Sequence, residues 1–150
     1  MYCLSAAMSD VSAAAAPRPR PEPSALTEPF WAAARRHVLV RPRCNACGRS
    51  FFVPQAVCTR CLSRDWAYAP SSGRGAVYSA TVGHRAPYAG IEAPFHLAIV
   101  DLDEGWSMLT NLIEPGDRSV PIGTRVAVAW IDVDDDYTLP VFTRDEEAKR

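Results

Sequence analysis

The 150-residue chain has no apolar run near the roughly 20 residues that a membrane-spanning helix needs. Its opening stretch, MYCLSAAMSDVSAAAAPRP, has alanines but neither a basic start nor a leucine-rich core. It does not read as a secretory signal. A cytoplasmic protein is expected, starting at Met1 or Met8. Surplus charge is missing too. Sixteen Lys and Arg against 17 Asp and Glu leave a formal net charge of -1. Nothing therefore draws the whole chain to nucleic acid or to an anionic membrane, and neither is expected as a partner. Histidine is scarce: only His37, His84 and His96 occur. No serine or cysteine stands in a nucleophile-elbow pattern, and no nucleophile is paired with a base at a readable spacing. These gaps argue against an enzyme acting alone.

Cysteine is sparse but concentrated. Four of the five cysteines form two CxxC pairs, Cys44-Asn45-Ala46-Cys47 and Cys58-Thr59-Arg60-Cys61. Each pair can turn two sulfurs towards one ion, and Gly48 relaxes the backbone behind the first. Two pairs supply the four thiolates that tetrahedral zinc prefers. Cys44, Cys47, Cys58 and Cys61 are thus the predicted ligands of a rubredoxin-like zinc ribbon, with iron the alternative metal for the same sulfur set. Reducing conditions disfavour disulfides between the pairs. A redox CxxC comes singly, at the start of a helix. A closed four-sulfur site leaves no position for water, so the metal is structural and no catalytic residue is assigned. The spacer predicts a short hairpin turning at Pro54-Gln55, with Phe51, Phe52 and Val53 on one arm and Ala56 and Val57 on the other. Cys3 lies outside the set and receives no role.

Composition divides the rest. Residues 1–26 are Ala/Pro-rich and predicted to be a disordered tail. Residues 27–70 hold a short helix and the ribbon, with Thr27 as its cap, Pro29 in the first turn and an end near His37. Phe30, Trp31 and Ala34 form its apolar face. A helix this short cannot bury Phe30 and Trp31 by itself, so both are candidates for a partner interface. Residues 70–75 form a Ser/Gly joint, expected to be flexible. Residues 71–145 carry β signals at 76–82, 95–102, 108–113, 125–133 and 138–142, separated by turn residues. A mainly β chain follows, with the ribbon leading into a five-stranded OB-fold barrel. Residues 146–150 are a charged tail. Leu97 and Ile99 alternate with Ala98, Val100 and Leu102, so the strand is apolar on both faces and something must cover it. The run Asp132, Asp134, Asp135, Asp136 reads as a solvated turn rather than a calcium loop. Between residues 30 and 64 there are seven arginines and no acid; from 65 onward 14 acids face seven Arg or Lys. The basic front is either a solvated face or a surface for an anion.

Several motifs occur in a set order: Pro29-Phe30-Trp31, the two CxxC pairs, Gly73-Arg74-Gly75-Ala76-Val77-Tyr78-Ser79, Thr81-Val82-Gly83-His84-Arg85, Ile122-Gly123 and Thr138-Leu139-Pro140. Over about residues 27–143 the chain resembles the zinc-ribbon plus OB-fold, acyl-CoA-associated proteins of DUF35 type. That resemblance implies a non-catalytic accessory subunit of a thiolase-like enzyme: a thiolase, a synthase or an aldolase, in lipid or steroid metabolism. Some members accompany MaoC-like hydratases or are fused to them; this chain resembles the stand-alone form. The implied cofactor is structural zinc, and acyl-CoA is the implied ligand of the complex. Arg74, His84 and Arg85 are candidates for lining a coenzyme A path. A single-stranded nucleic-acid binder is the alternative, since OB barrels and zinc ribbons both serve there. The acidic barrel half argues against it.

Overall fold

A computed structural model describes residues 18–88, 90–113 and 119–145. Cys3, Met8, the predicted turn around residues 114–117 and the charged tail lie outside the described residues. The helix α1 covers Glu28–Ala34, with proline in its first turn. It is shorter than predicted. Val38 N–H reaches back to Ala33 O at 3.1 Å and His37 N–H to Ala34 O at 2.8 Å, with His37 at φ 56. This is the helix-ending pattern in which one left-handed residue turns the chain, a place usually given to glycine. Thr27 stands at the N-cap position but makes no side-chain cap bond into the helix. Its hydroxyl instead accepts the Ser24 N–H at 2.9 Å. Phe30, Ala33 and Ala34 are buried.

Strands β1 (Val40–Cys44) and β2 (Trp66–Pro70) pair antiparallel, from Cys44 opposite Trp66 to Val40 opposite Pro70. The two strands flank the cysteine pairs. The hairpin predicted between the pairs is not formed; a single bridge joins Arg43 and Ser50. The reason lies in two adjacent phenylalanines. Phe51 packs on Trp66 beside the cysteines, with ring centroids 5.7 Å apart. Phe52 packs on Phe30 and Trp106, both at 5.3 Å. The segment is drawn to two different cores, which leaves it no regular strand face.

Five strands follow: β3 (Arg74–Gly83), β4 (Phe95–Leu102), β5 (Trp106–Leu112), β6 (Arg125–Asp134) and β7 (Tyr137–Arg144). They close into a barrel in the order β3-β4-β5-β7-β6. All neighbours are antiparallel except β5 and β7, which meet in parallel at Leu112 and Phe142. The chain is mainly β, as the alternating patterns predict. On β4, Ala98, Val100 and Leu102 are buried, while Leu97 and Ile99 are half-buried. The predicted cover is therefore partial: opposite Ile99, Leu109 on β5 keeps 62% of its surface exposed.

The joint is not flexible. Ser71 N–H donates to Leu39 O at 2.8 Å, and Val128 N–H donates to Gly73 O at 2.7 Å. The Glu104 carboxylate accepts from Ser71 Oγ at 2.7 Å and from Ser72 N–H at 2.6 Å. Gly73 takes φ 71, and a Cβ there would lie 2.2 Å from Val128 Cγ1, so only glycine fits this close crossing. Helix, ribbon strand and barrel share one core, which joins Phe30, Leu39 and Val40 to Val77, Met108 and Phe142. A second small core of Phe51 and Trp66 surrounds the cysteines.

Candidate metal centre and ligand face

The two cysteine pairs are built alike. Cys44 N–H donates to Arg49 O and Gly48 N–H to Cys44 O; Cys58 N–H donates to Ser63 O and Leu62 N–H to Cys58 O. Each loop is closed by a left-handed residue, Gly48 at φ 74 and Leu62 at φ 60. The repeat brings all four Sγ atoms within 4.8 Å of one another. Cys44 and Cys61 sulfurs lie 3.6 Å apart, and Cys47 and Cys58 sulfurs 3.7 Å. A tetrahedron with zinc–sulfur arms of about 2.3 Å has edges of about 3.8 Å, so the spacing fits a metal and is far too long for disulfides. The thiols also show why a cation belongs here. Backbone N–H groups of Arg60 and Cys61 hold the Cys58 thiol down at about 6. At Cys61 the Ser63 N–H favours the thiolate, but contacts with Cys47 and Cys44 outweigh it and push the thiol up to about 12. Four thiolates cannot share this volume without a cation to neutralise them, and a closed four-sulfur site gives that cation no open position.

Two adjoining hollows lie between α1, the residues after the first cysteine pair and the barrel. The first, about 320 Å³, is walled by Trp31, Phe52, Val53, Pro54, Leu109 and Leu139. The second, about 460 Å³, is lined by Arg18, Trp31, Tyr88, Ile91, Asn111 and Tyr137 among others. Trp31, Asn111 and Leu139 belong to both. Tyr88 and Ile91 come from the β3–β4 loop, and Tyr137 follows the β6–β7 turn. In OB barrels these two loops frame the face that takes oligonucleotides and oligosaccharides. Here Trp31 and residues 18–21 lie on that face, and Arg20 is ion-paired with Asp134.

The predicted residues separate. Phe30 is 4% exposed; its ring belongs to the chain's own core. Trp31 packs edge-on to Phe30 at 5.1 Å and against Tyr137 at 5.2 Å, and keeps part of its indole open in the hollows. Arg74 and His84 stand at opposite ends of β3, roughly 30 Å apart along an extended strand, so no single phosphate could touch both. Arg74 lies 3.6 Å from the buried Asp145. His84 and Arg85 are exposed at the start of the loop that carries Tyr88. His96 is buried on β4. His37 stacks on Trp130 at 5.4 Å and bonds Asp132 at 2.9 Å. The acid run is occupied locally: Asp132 also accepts from Thr138 at 2.8 Å, and Asp134 accepts the Asp136 N–H at 2.9 Å. The basic front is partly internal. Arg41 is buried, donating to Ser50 Oγ and Pro70 O, and Arg35 pairs with Glu28. The hollows leave no local signal in the sequence because Arg18, Tyr88 and Tyr137 lie far apart along it, and Leu139 and Pro140 stand there only as part of a motif.

Comparison with known proteins agrees with this geometry. Residues 31–67 match the "ChsH2, rubredoxin-like zinc ribbon domain" family and residues 68–131 the "ChsH2, C-terminal OB-fold domain" family. The solved "Ltp2-ChsH2(DUF35) aldolase" contains a chain that superposes with a TM-score of 0.76 at 35% identity, covering 83% of this chain and 98% of that one. A "probable enoyl-CoA hydratase alpha subunit" of Thermomonospora curvata is 39% identical over 114 residues. That match takes in 75% of this chain but only 36% of the relative, so the chain spans about a third of that protein's length. A "DUF35 domain-containing scaffold protein" of Methanocaldococcus jannaschii is 29% identical over 110 residues, 72% of this chain and 78% of that protein. With its ribbon, its closed five-stranded barrel and these relatives, the chain belongs to the ChsH2/DUF35 family of zinc-ribbon plus OB-fold proteins.

Proposed function

We propose that this chain is a non-catalytic subunit that binds a thiolase-like enzyme and helps to shape an acyl-CoA site there. The observation that carries the reading is the near-complete cover, 98%, of the DUF35 chain in the aldolase structure. Two features support it. The cysteine cluster has the donor set of a closed structural site, in which Cys44, Cys47, Cys58 and Cys61 would hold zinc or iron. The chain keeps apolar surface uncovered, with Leu109 62% and Ile113 50% exposed at the barrel and Val53 57% exposed in the spacer between the cysteine pairs. The chain's own residues would act as a scaffold: the cysteines fix the ribbon, the shared core fixes ribbon to barrel, and Trp31 offers a half-open aromatic anchor of the kind that concentrates binding energy. A hydratase, including one of MaoC type, is the second class of partner, favoured by the name of the Thermomonospora relative. Single-strand binding is disfavoured, because the usual OB ligand face carries Trp31 and residues 18–21.

The test is co-expression with a thiolase-fold aldolase and, separately, with a hydratase, followed by co-purification. One stable complex is expected, with no acyl-CoA turnover by this chain alone. Trp31→Ala should weaken the complex by about 2 kcal/mol or more. Turnover by the pure chain, or no complex with either class, overturns the reading.

A further inference from the structure

The two cysteine loops share a backbone but finish differently. In the first, Gly48 takes the left-handed position at φ 74, and the Arg43 guanidinium lies 3.9 Å from where a Cβ would stand. In the second, the equivalent position is Leu62, at φ 60 with 72% of its surface exposed. A surface leucine by itself needs no explanation. A leucine in this backbone conformation does. The left-handed region is costly for any residue with a Cβ and free for glycine. With so little of its side chain buried, Leu62 gains almost nothing in return. Folding alone therefore favours glycine here, and strain kept at an exposed position points to a use for the side chain outside the fold.

Cations surround it. Residues 41–64 hold five arginines, no lysine and no acid. Arg41 is buried, but Arg43 and Arg49 beside the first loop and Arg60 and Arg64 on either side of Leu62 are exposed. None of these four has a carboxylate partner among the described residues. Asp65, the next residue, is bonded to Asn45 at 2.7 Å. Arginine is the cation enriched at protein interfaces, where lysine is depleted. Phe51 is buried and Phe52 packs on the main core, so residues 41–64 offer no exposed ring on which a base could stack. Among the chain's own acids, Asp103, Asp132 and Asp134 are already paired with Arg125, His37 and Arg20. That makes a second copy a weaker match than a partner with free carboxylates.

We propose that residues 60–64 form a docking tip: Leu62 enters an apolar pocket on the thiolase-like partner enzyme, and Arg60 and Arg64 meet carboxylates at the rim of that pocket. Arg43 and Arg49 extend the positive field across the neighbouring loop and steer the approach. The four sulfurs draw both loops to one point, so the tip stands on a fixed base rather than on a free loop. The inference deepens the proposed function by naming a surface that holds the partner, on a different element from Trp31, and rests on that reading for the identity of the occupant.

The experiment uses the full chain and the co-purified thiolase-fold aldolase, with association and dissociation read by interferometry at low and at high salt. The variants are Leu62→Gly, Leu62→Met and the double change Arg60→Gln with Arg64→Gln. Metal content and thermal melts of the isolated chain check that each one folds. Leu62→Gly should keep its metal, melt no lower than the parent chain, and bind the enzyme roughly tenfold more weakly. A merely structural role would lower stability and affinity together. Leu62→Met keeps an apolar anchor of similar volume and should hold the affinity within about threefold. The double arginine variant should slow association roughly tenfold at low salt and much less at high salt. A complex as tight with Leu62→Gly as with the parent chain overturns the proposal and leaves the partner reading standing. No complex with the parent chain overturns both. Self-association in sedimentation that Leu62→Gly abolishes, or tight binding of a thymidine oligonucleotide that the double variant abolishes, gives the tip to a different occupant and overturns the proposal as well.

Discussion

At the residue scale the four clustered cysteines are the most consequential side chains. Cys58 is fully buried at the centre of the small core. Cys58→Ser removes one of four donors, and because metal binding is coupled to the folding of such a ribbon, metal content should fall together with the melting temperature. Metal analysis and thermal melts check this; full metal content with an unshifted melt would refute it. The second loop carries a quieter strain. Leu62 holds a left-handed backbone, φ 60, with 72% of its surface exposed, where its twin loop has Gly48. A left-handed non-glycine residue costs about 1–2 kcal/mol, partly offset by the extra freedom glycine has when unfolded. Leu62→Gly should therefore stabilise the chain by up to about 1 kcal/mol, read as a higher melting temperature. The four cysteines were legible in sequence because ligand chemistry dictates both residue type and spacing. The likeness of the two loops was not, since leucine in that position gives no sign of the conformation glycine announces.

At the element scale the joint between ribbon and barrel is an ordered crossing held by Glu104. Burial alone would raise the Glu104 carboxyl, but hydrogen bonds from the Ser72 N–H and the Ser71 hydroxyl together outweigh it and leave the group below its ordinary 4.5. A carboxyl depressed in the folded state adds stability above its unfolded value and loses it as pH falls through the folded one. Acid below about pH 4.5 should thus loosen this crossing. Glu104→Gln should cost about 1 kcal/mol at neutral pH and flatten the acid limb of the stability curve, measured by denaturant melts from pH 3 to pH 7. Ser and Gly at 71–75 signalled mobility in the sequence, because their partner sits some thirty residues later on a different turn. The barrel strands were legible through alternation, with ends shifted by one or two residues. The spacer hairpin was not, because Phe51 and Phe52 look like one apolar run and serve two cores. The hollows were equally hidden, since no local period records that an arginine before the helix will meet tyrosines from two barrel loops.

At the scale of the whole molecule, the small ribbon and the barrel are stabilised differently. The cysteine core would rely on an ion held by its four sulfurs, but Phe30, Leu39 and Val40 belong to the barrel's core. Phe30→Ala should cost the isolated chain about 3–5 kcal/mol, as large core truncations do, with no partner present. A melting point unaffected by that change would mean that Phe30 faces a partner instead. The closed barrel also has an uneven perimeter. β3, β4 and β5 form one continuous antiparallel meander, and β6 and β7 form one hairpin, each linked through near neighbours in sequence. Between β5 and β7 the ring is shut by one ladder pair, Leu112 with Phe142, by the Ile113 N–H to Phe142 O bond at 2.7 Å and by the Thr110 hydroxyl donating to Pro140 O at 3.4 Å. Loop-closure entropy makes such a distant, parallel contact slow to form. The meander and the hairpin also join along β3 and β6, through three ladder pairs, so the thinner β5–β7 seam should close last. In the native state the seam should also breathe first, so the amide proton of Ile113, which donates across it to Phe142 O, should exchange with solvent faster than those of Val100 and Leu102.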